Sequence, residues 1–160
     1  MLSIYRMGKI LNIFLLHVFY LKIAFQLLTL LAMQTPPLFF LADDDEDDRI
    51  LFLEALSQIN PAIKCMMAKN GKEALLMLQS DMFELPDYIF LDLNMPIMNG
   101  LKCLMEIKKI SLLKHIPVII YSTSAEEEFK DAGKRLGALD FFVKPSDFSG
   151  LLKYLKKMLN

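Results

Sequence analysis

Six acidic side chains in a row, Asp43 to Asp48, stand directly behind the apolar run LFFLA at residues 38–42. Like charges a few ångströms apart repel, so a folded chain keeps such a run either as a solvated turn or around a cation. Without His or Cys partners, carboxylates are a hard-oxygen donor set suited to Mg²⁺ or Mn²⁺. Asp92 sits in IFLDLNMPIMNG, Ser122 and Thr123 follow PVIIY, and Lys144 follows LDFFV. A carboxylate beside a divalent cation, with a lysine opposite, can act as a nucleophile on phosphorus. The metal and the lysine offset charge on the phosphoryl oxygens in transit. Taken singly, Asp92 reads as a turn or helix-capping acid, Lys144 as a surface lysine and Ser122 as a strand-end hydroxyl. Their weight comes from standing at the same end of successive apolar runs.

Those runs lie at 38–42, 62–67, 87–91, 117–121 and 139–143, with helix-period segments near 47–59, 72–80, 100–110, 125–136 and 147–159. The last is the plainest: Phe148, Leu151, Leu152, Leu155, Met158 and Leu159 mark one apolar face. Pro61, Asn70–Gly71, Pro86, Pro96, Asn99–Gly100, Pro117, Gly137 and Pro145 punctuate the joins. Strands alternating with helices predict an α/β fold with a parallel sheet covered on both faces. Five units suit an open, doubly wound sheet and are too few for an eight-fold barrel. Ligands of such sheets bind outside the carboxyl ends of the strands. Asp43 and Asp44, Asp92, Ser122 and Thr123, and Lys144 all fall there.

The six acids divide by position. Only the first after the strand can point into such a site, so Asp43 and Asp44 are the metal candidates. Asp45 to Asp48 are expected in the first turn of the next helix, where acids cap free N–H groups and complement the dipole. Asp43, Asp45, Asp47 and Glu54 also match positions 1, 3, 5 and 12 of an EF-hand calcium loop. Position 6 is Asp48, where that loop needs Gly, and the preceding segment reads as strand.

The chain holds 18 basic and 19 acidic residues. Arg6, Lys9 and Lys22 are the only charges before Asp43, which leaves 15 basic against 19 acidic residues, a net of −4, from residue 33 on. A weakly acidic domain lacks the basic footprint that nucleic-acid binding needs. Cys65 and Cys103 have no zinc-ligand spacing and read as reduced thiols of a cytoplasmic protein.

Residues 10–32, ILNIFLLHVFYLKIAFQLLTLLA, are long enough for a bilayer but carry Asn12, His17, Lys22 and Gln26. Lys22, Gln26 and Thr29 form one polar stripe at helical spacing. Arg6 and Lys9 ahead of the span would export all that follows, which conflicts with a site that draws on phosphoryl donors made inside the cell. Met33 reads as a natural start. Residues 1–32 are therefore an apolar helical leader with three open readings: a non-native upstream extension, a membrane anchor or a partner-binding helix. Residues 33–160 form the domain, and a membrane role arises only if the leader is native.

Four motifs in order, FFLADD, FLDLNMP…NG, PVIIYST and DFFVKP, resemble the receiver domain of two-component response regulators across about 36–158. The resemblance implies a CheY-like sheet of order 2-1-3-4-5. It implies that Asp92 takes a phosphoryl group, and that Asp43, Asp44, Asp92 and the backbone carbonyl of Asn94 hold Mg²⁺. Lys144 would contact the phosphoryl group, and Ser122 would hydrogen-bond it. Ser122 and Phe141 would form the switch pair, Phe141 standing where Tyr is frequent, and Lys144–Pro145 would be a cis peptide. The donor would be a sensor histidine kinase or a phosphotransfer protein. Because the chain ends at Asn160, the expectation is a stand-alone signalling module with no output domain. It would be no enzyme beyond its own phosphorylation and dephosphorylation. An unknown downstream protein or a second copy would read the face of the fourth helix, fifth strand and fifth helix. The alternative is a Mg²⁺-dependent phosphohydrolase with an Asp nucleophile. Such enzymes usually carry a second Asp where Asn94 stands here.

Overall fold

A computed structural model describes residues 17–28 and 35–159. The chain divides into two units, Met1–Pro36 and Pro37–Asn160. Within the first, residues 17–28 form a helix that carries Lys22 and Gln26 of the polar stripe. Arg6, Lys9, Asn12, Thr29 and Met33 lie outside the described residues. Among the described residues no helix is long and apolar enough to cross a membrane.

The second unit alternates strand and helix throughout: β1 Leu38–Ala42, α1 Glu46–Ile59, β2 Lys64–Ala68, α2 Gly71–Leu78, β3 Tyr88–Leu91, α3 Gly100–Lys109, β4 Val118–Ser122, α4 Glu127–Arg135, β5 Asp140–Val143 and α5 Phe148–Leu159. All four strand pairs are parallel, in the order β2-β1-β3-β4-β5. The expected doubly wound topology is therefore the observed one. β2 begins two residues later than its apolar run. Asn60 accepts from the Ala62 N–H through its side chain and from the Ile63 N–H through its carbonyl, making a turn of residues 60–63.

The inner strands are apolar on both faces because helices cover both. Successive side chains of a strand point to opposite sides, so one sequence feeds two cores. Phe40, Ile89, Leu91, Val118 and Ile120 pack with Ala74, Leu104 and Ile107 of α2 and α3. Phe39, Leu41, Phe90, Ile119 and Tyr121 pack with Phe52, Leu56, Leu151 and Leu155 of α1 and α5. On this second side Phe52 meets Phe90 edge-on at 4.9 Å. Phe142 lies between two tyrosines, stacked on Tyr121 at 5.7 Å and on Tyr154 at 3.7 Å. The Tyr154 hydroxyl donates to Asp140 at 2.8 Å, which ties α5 to β5.

Side-chain caps fix where three helices begin, and therefore where the strand-end loops point. Asp45 accepts from the N–H groups of Asp47 and Asp48, Asn70 from Glu73, and Asn99 from Lys102. α3 also starts against the sheet itself. The Gly100 N–H donates to the Leu93 carbonyl, and a β-carbon at Gly100 would stand 2.3 Å from the Asp92 carbonyl oxygen.

Candidate functional site

The carboxyl ends of β1, β3 and β5 deliver three charged side chains to one point. Asp43 extends the β1 ladder, its N–H donating to the Ala68 carbonyl, and is fully buried. Asp92 does the same for β3, with its N–H on the Ala42 carbonyl, and is 5% exposed. Lys144 continues β5, its N–H donating to the Ser122 carbonyl at 2.8 Å. Its ammonium then reaches across the sheet ends to Asp43 Oδ2 at 2.8 Å, Asp48 Oδ2 at 2.7 Å and Asp92 Oδ1 at 3.2 Å. The same ammonium lies 5.1 Å from the centroid of the Tyr121 ring.

Each remaining carboxylate oxygen in the pair of buried acids has a donor. Asp43 Oδ1 accepts from the Asp45 N–H at 3.1 Å, and Asp92 Oδ2 from the Asn94 N–H at 2.7 Å. These bonds fix the rotamers of both acids. Arg49, buried in α1, donates from Nη1 to the Asp43 carbonyl at 2.7 Å and so holds the end of β1. Ser122 is fully buried, with its hydroxyl accepting from the Ser124 N–H at 3.3 Å.

Burial pushes the Asp43 carboxyl up to about 6, against the opposing pull of the Lys144 ammonium bonded to it. Burial also works against the charge on Lys144. Its hydrogen bonds to Asp43 and Asp48, with the charges of Asp43 and Asp92, more than reverse this and hold the ammonium above the usual lysine range. The two shifts pull against each other within one pair, since the first favours a neutral acid and the second a charged amine. At neutral pH both groups are ionised, so the contact is a salt bridge.

Of the residues expected in the site, Asp43, Asp92 and Lys144 meet directly. Asp44 and Asn94 have exposed side chains at its rim. Phe141 is half-buried and packs against the core on the α2–α3 side. Two expectations need correction. No peptide bond among the described residues is cis, so Lys144–Pro145 is trans here. Trans is the favoured state of an X–Pro bond by about 0.5–1 kcal/mol. Asp48 is the second correction: more than a helix starter, it makes the shortest of the three contacts to Lys144. The signal was helical spacing, because Asp48 precedes the buried Phe52 and Ala55 by four and seven residues.

Among the described residues no three metal-ligating side chains close into a cage, because the carboxylates turn onto Lys144. The all-oxygen donor set nevertheless suits Mg²⁺, which keeps several waters and needs only one or two carboxylates.

Residues 39–156 match the family of the response regulator receiver domain. The chain is 35% identical over 94 residues to protein PilH of Pseudomonas aeruginosa, which covers 59% of this chain and 75% of that protein. It is 33% identical over 119 residues to sporulation initiation phosphotransferase F of Bacillus subtilis, covering 74% and 90%. Other relatives are much longer: the chain spans 24% of a protein-glutamate methylesterase/protein-glutamine glutaminase of Rhodospirillum rubrum, whose activity is that protein's own. The fold is that of the phosphorylated cyanobacterial phytochrome response regulator RcpA, at TM-score 0.70 and 31% identity over 77% of this chain and 91% of that one. The Mn²⁺-bound response regulator Rcp1 is similar at TM-score 0.68 and 28% identity, with the same coverage of 77% and 91%. From the alternating parallel sheet, the acids gathered at its carboxyl edge and these likenesses, the chain belongs to the response regulator receiver domain family.

Proposed function

We propose that this receiver domain takes its phosphoryl group on Asp92. One observation carries the assignment. The Asp92 carboxylate stands at the centre of the strand-end rim with Lys144 Nζ 3.2 Å from Oδ1 and the Asn94 N–H on Oδ2. In that setting Oδ1 attacks phosphorus, while Lys144 is placed to neutralise charge on the transferring oxygens. The Ser122 hydroxyl, at the end of the neighbouring strand, then hydrogen-bonds the attached group. Asp43, Asp44, Asp92 and the carbonyl of Asn94 would hold Mg²⁺, which supplies further positive charge there. The Mn²⁺ in the similar Rcp1 structure favours a divalent cation in this set.

The donor is a sensor histidine kinase or a phosphotransfer protein, and the work is done in the cytoplasm, where such donors are charged from ATP. Phosphorylation-dependent signalling is the family's function, and docking to another protein is its outlet here. The face of α4, β5 and α5 suits that role. It carries a groove of about 300 Å³ lined by Leu139, Asp140, Tyr154, Lys157 and Met158. Residues 1–32 are dispensable for the site on this reading, so a chain begun at Met33 should fold and accept phosphate.

Intact-mass measurement after treatment with acetyl phosphate and Mg²⁺ tests the assignment. One added phosphoryl group is expected, and Asp92→Asn should lack it. Undiminished labelling of that variant would remove Asp92 from the role. Continuous release of acetate and phosphate without an adduct would favour a phosphohydrolase.

A further inference from the structure

We infer that Asp48 is a positioning residue for phosphoryl transfer: it holds the Lys144 ammonium partly withdrawn from Asp92 and thereby slows phosphorylation. The inference rests on Asp92 being the acceptor.

Three carboxylates compete for one ammonium, and they differ in reach and in exposure. Lys144 Nζ lies 2.7 Å from Asp48 and 2.8 Å from Asp43 but 3.2 Å from Asp92, the acid whose reaction needs it. The Asp43 side chain is 1% exposed and the Asp92 side chain 8%, whereas the Asp48 side chain is 32% exposed. The bond to Asp48 is therefore the one that water can replace when the ammonium moves. Asp48 is also rigidly presented. It stands in the first turn of α1, and its N–H is taken by the Asp45 cap at 3.4 Å. Among the described residues its carboxylate makes no capping bond and is bonded to Lys144 instead.

With acetyl phosphate as donor, a bond forms from Asp92 Oδ1 to phosphorus as the donor's P–O bond breaks, and acetate leaves with the electron pair. No electrons are exchanged with a redox partner. Negative phosphoryl oxygens enter the space beside Asp92, and the ammonium must shift toward them. Each step of that shift stretches the contact to Asp48, and the Asp48 charge repels the arriving group. Both effects act in one direction. Asp48 favours the unphosphorylated arrangement.

The test is the rate of adduct formation by the full chain with acetyl phosphate at saturating Mg²⁺, followed by intact mass. Asp48→Asn keeps the size and removes the charge, and should raise the rate about two- to fivefold, the weight of one partly exposed ion pair. Asp48→Glu should return the rate toward wild type. Asp47→Asn, an equal loss of charge on the same turn but away from Lys144, should leave it unchanged. The ¹⁵Nζ resonance of Lys144 should shift in Asp48→Asn and stay in place in Asp47→Asn, and Asp48→Ser serves as a second neutral variant. An unchanged or slower rate in Asp48→Asn and Asp48→Ser overturns the inference, as does equal acceleration by Asp47→Asn. Absence of any adduct on the wild-type chain would instead overturn the assignment of Asp92.

Discussion

Replacing Gly100 with alanine should damage the fold and the chemistry together, because the glycine lies against the backbone of the nucleophile. A β-carbon there would stand 2.3 Å from the Asp92 carbonyl oxygen, 3.0 Å from its carbonyl carbon and 3.3 Å from Leu93 Cα. Ordinary contact between heavy atoms begins near about 3.5 Å, so α3 and the end of β3 must part by roughly 1 Å. All three opposing atoms are main chain, and the Gly100 N–H is bonded to the Leu93 carbonyl at 3.1 Å, so no side chain can swing aside. Overpacking of this kind costs about 1–3 kcal/mol, and with backbone on both sides the upper end applies. For a domain of this size that lowers Tm by about 10 °C. The displaced group carries Asp92, and a misplacement of about 1 Å can reduce a reaction about a hundredfold. Gly133→Ala is the matched control. In α4 its β-carbon would meet Ile120 Cγ1 at 3.5 Å and Ala138 Cβ at 3.8 Å, which are ordinary contacts. Relief of glycine's entropy in a helix should then stabilise by about 0.5–1 kcal/mol. Urea unfolding followed by far-ultraviolet dichroism gives both stabilities, and the acetyl phosphate time course gives the rate. A Gly100→Ala protein as stable and as reactive as wild type would refute the reasoning. Equal damage from Gly133→Ala would refute it as well.

Other perturbations probe separate parts of the molecule. Lys144→Met strands the buried Asp43 and Asp92 without their counter-charge and should cost about 3 kcal/mol in urea unfolding, partly restored by millimolar Mg²⁺. Ile97 is a β-branched residue at φ 66° and is 76% exposed, so Ile97→Gly should stabilise by about 0.5–1 kcal/mol in the same assay. Burial pushes the Cys65 and Cys103 thiols up to about 12. Against an unfolded thiol near about 8.5, their reaction with a disulfide reagent at pH 8 should be slower by at least about a hundredfold, and should accelerate as pH rises further. A native protein that reacts as fast as the urea-unfolded chain would contradict this.

The sheet was legible because each strand is a short apolar run and each helix has its own period. Phe39 and Leu41 face one core and Phe40 and Ala42 the other, so β1 reads as continuous hydrophobic sequence. The site was legible to the same degree, as charged residues placed where such runs stop. What lay beyond reading was the competition among them. Nothing in the order of residues says that the ammonium prefers Asp48 and Asp43 to Asp92, since that depends on rotamers and on distances across three strands. An acid in a first turn has two uses, and only the register with Phe52 marks Asp48 for the contact to Lys144 as well. The isomer of Lys144–Pro145 has no local physical signal in this chain.

The sandwich of Phe142 between Tyr121 and Tyr154, with Lys144 above the first ring, gives the domain an optical signal of its own. The chain has no tryptophan, so its near-ultraviolet dichroism comes chiefly from tyrosine and phenylalanine rings, and only rings held in fixed asymmetric packing contribute strongly. Tyr121 is such a ring, and the charge over its face moves whenever the ammonium changes partners. Events at the acidic rim can therefore be followed as a change in tyrosine dichroism without any attached label. Phe142→Leu would break the sandwich and dim that signal while leaving the acids in place.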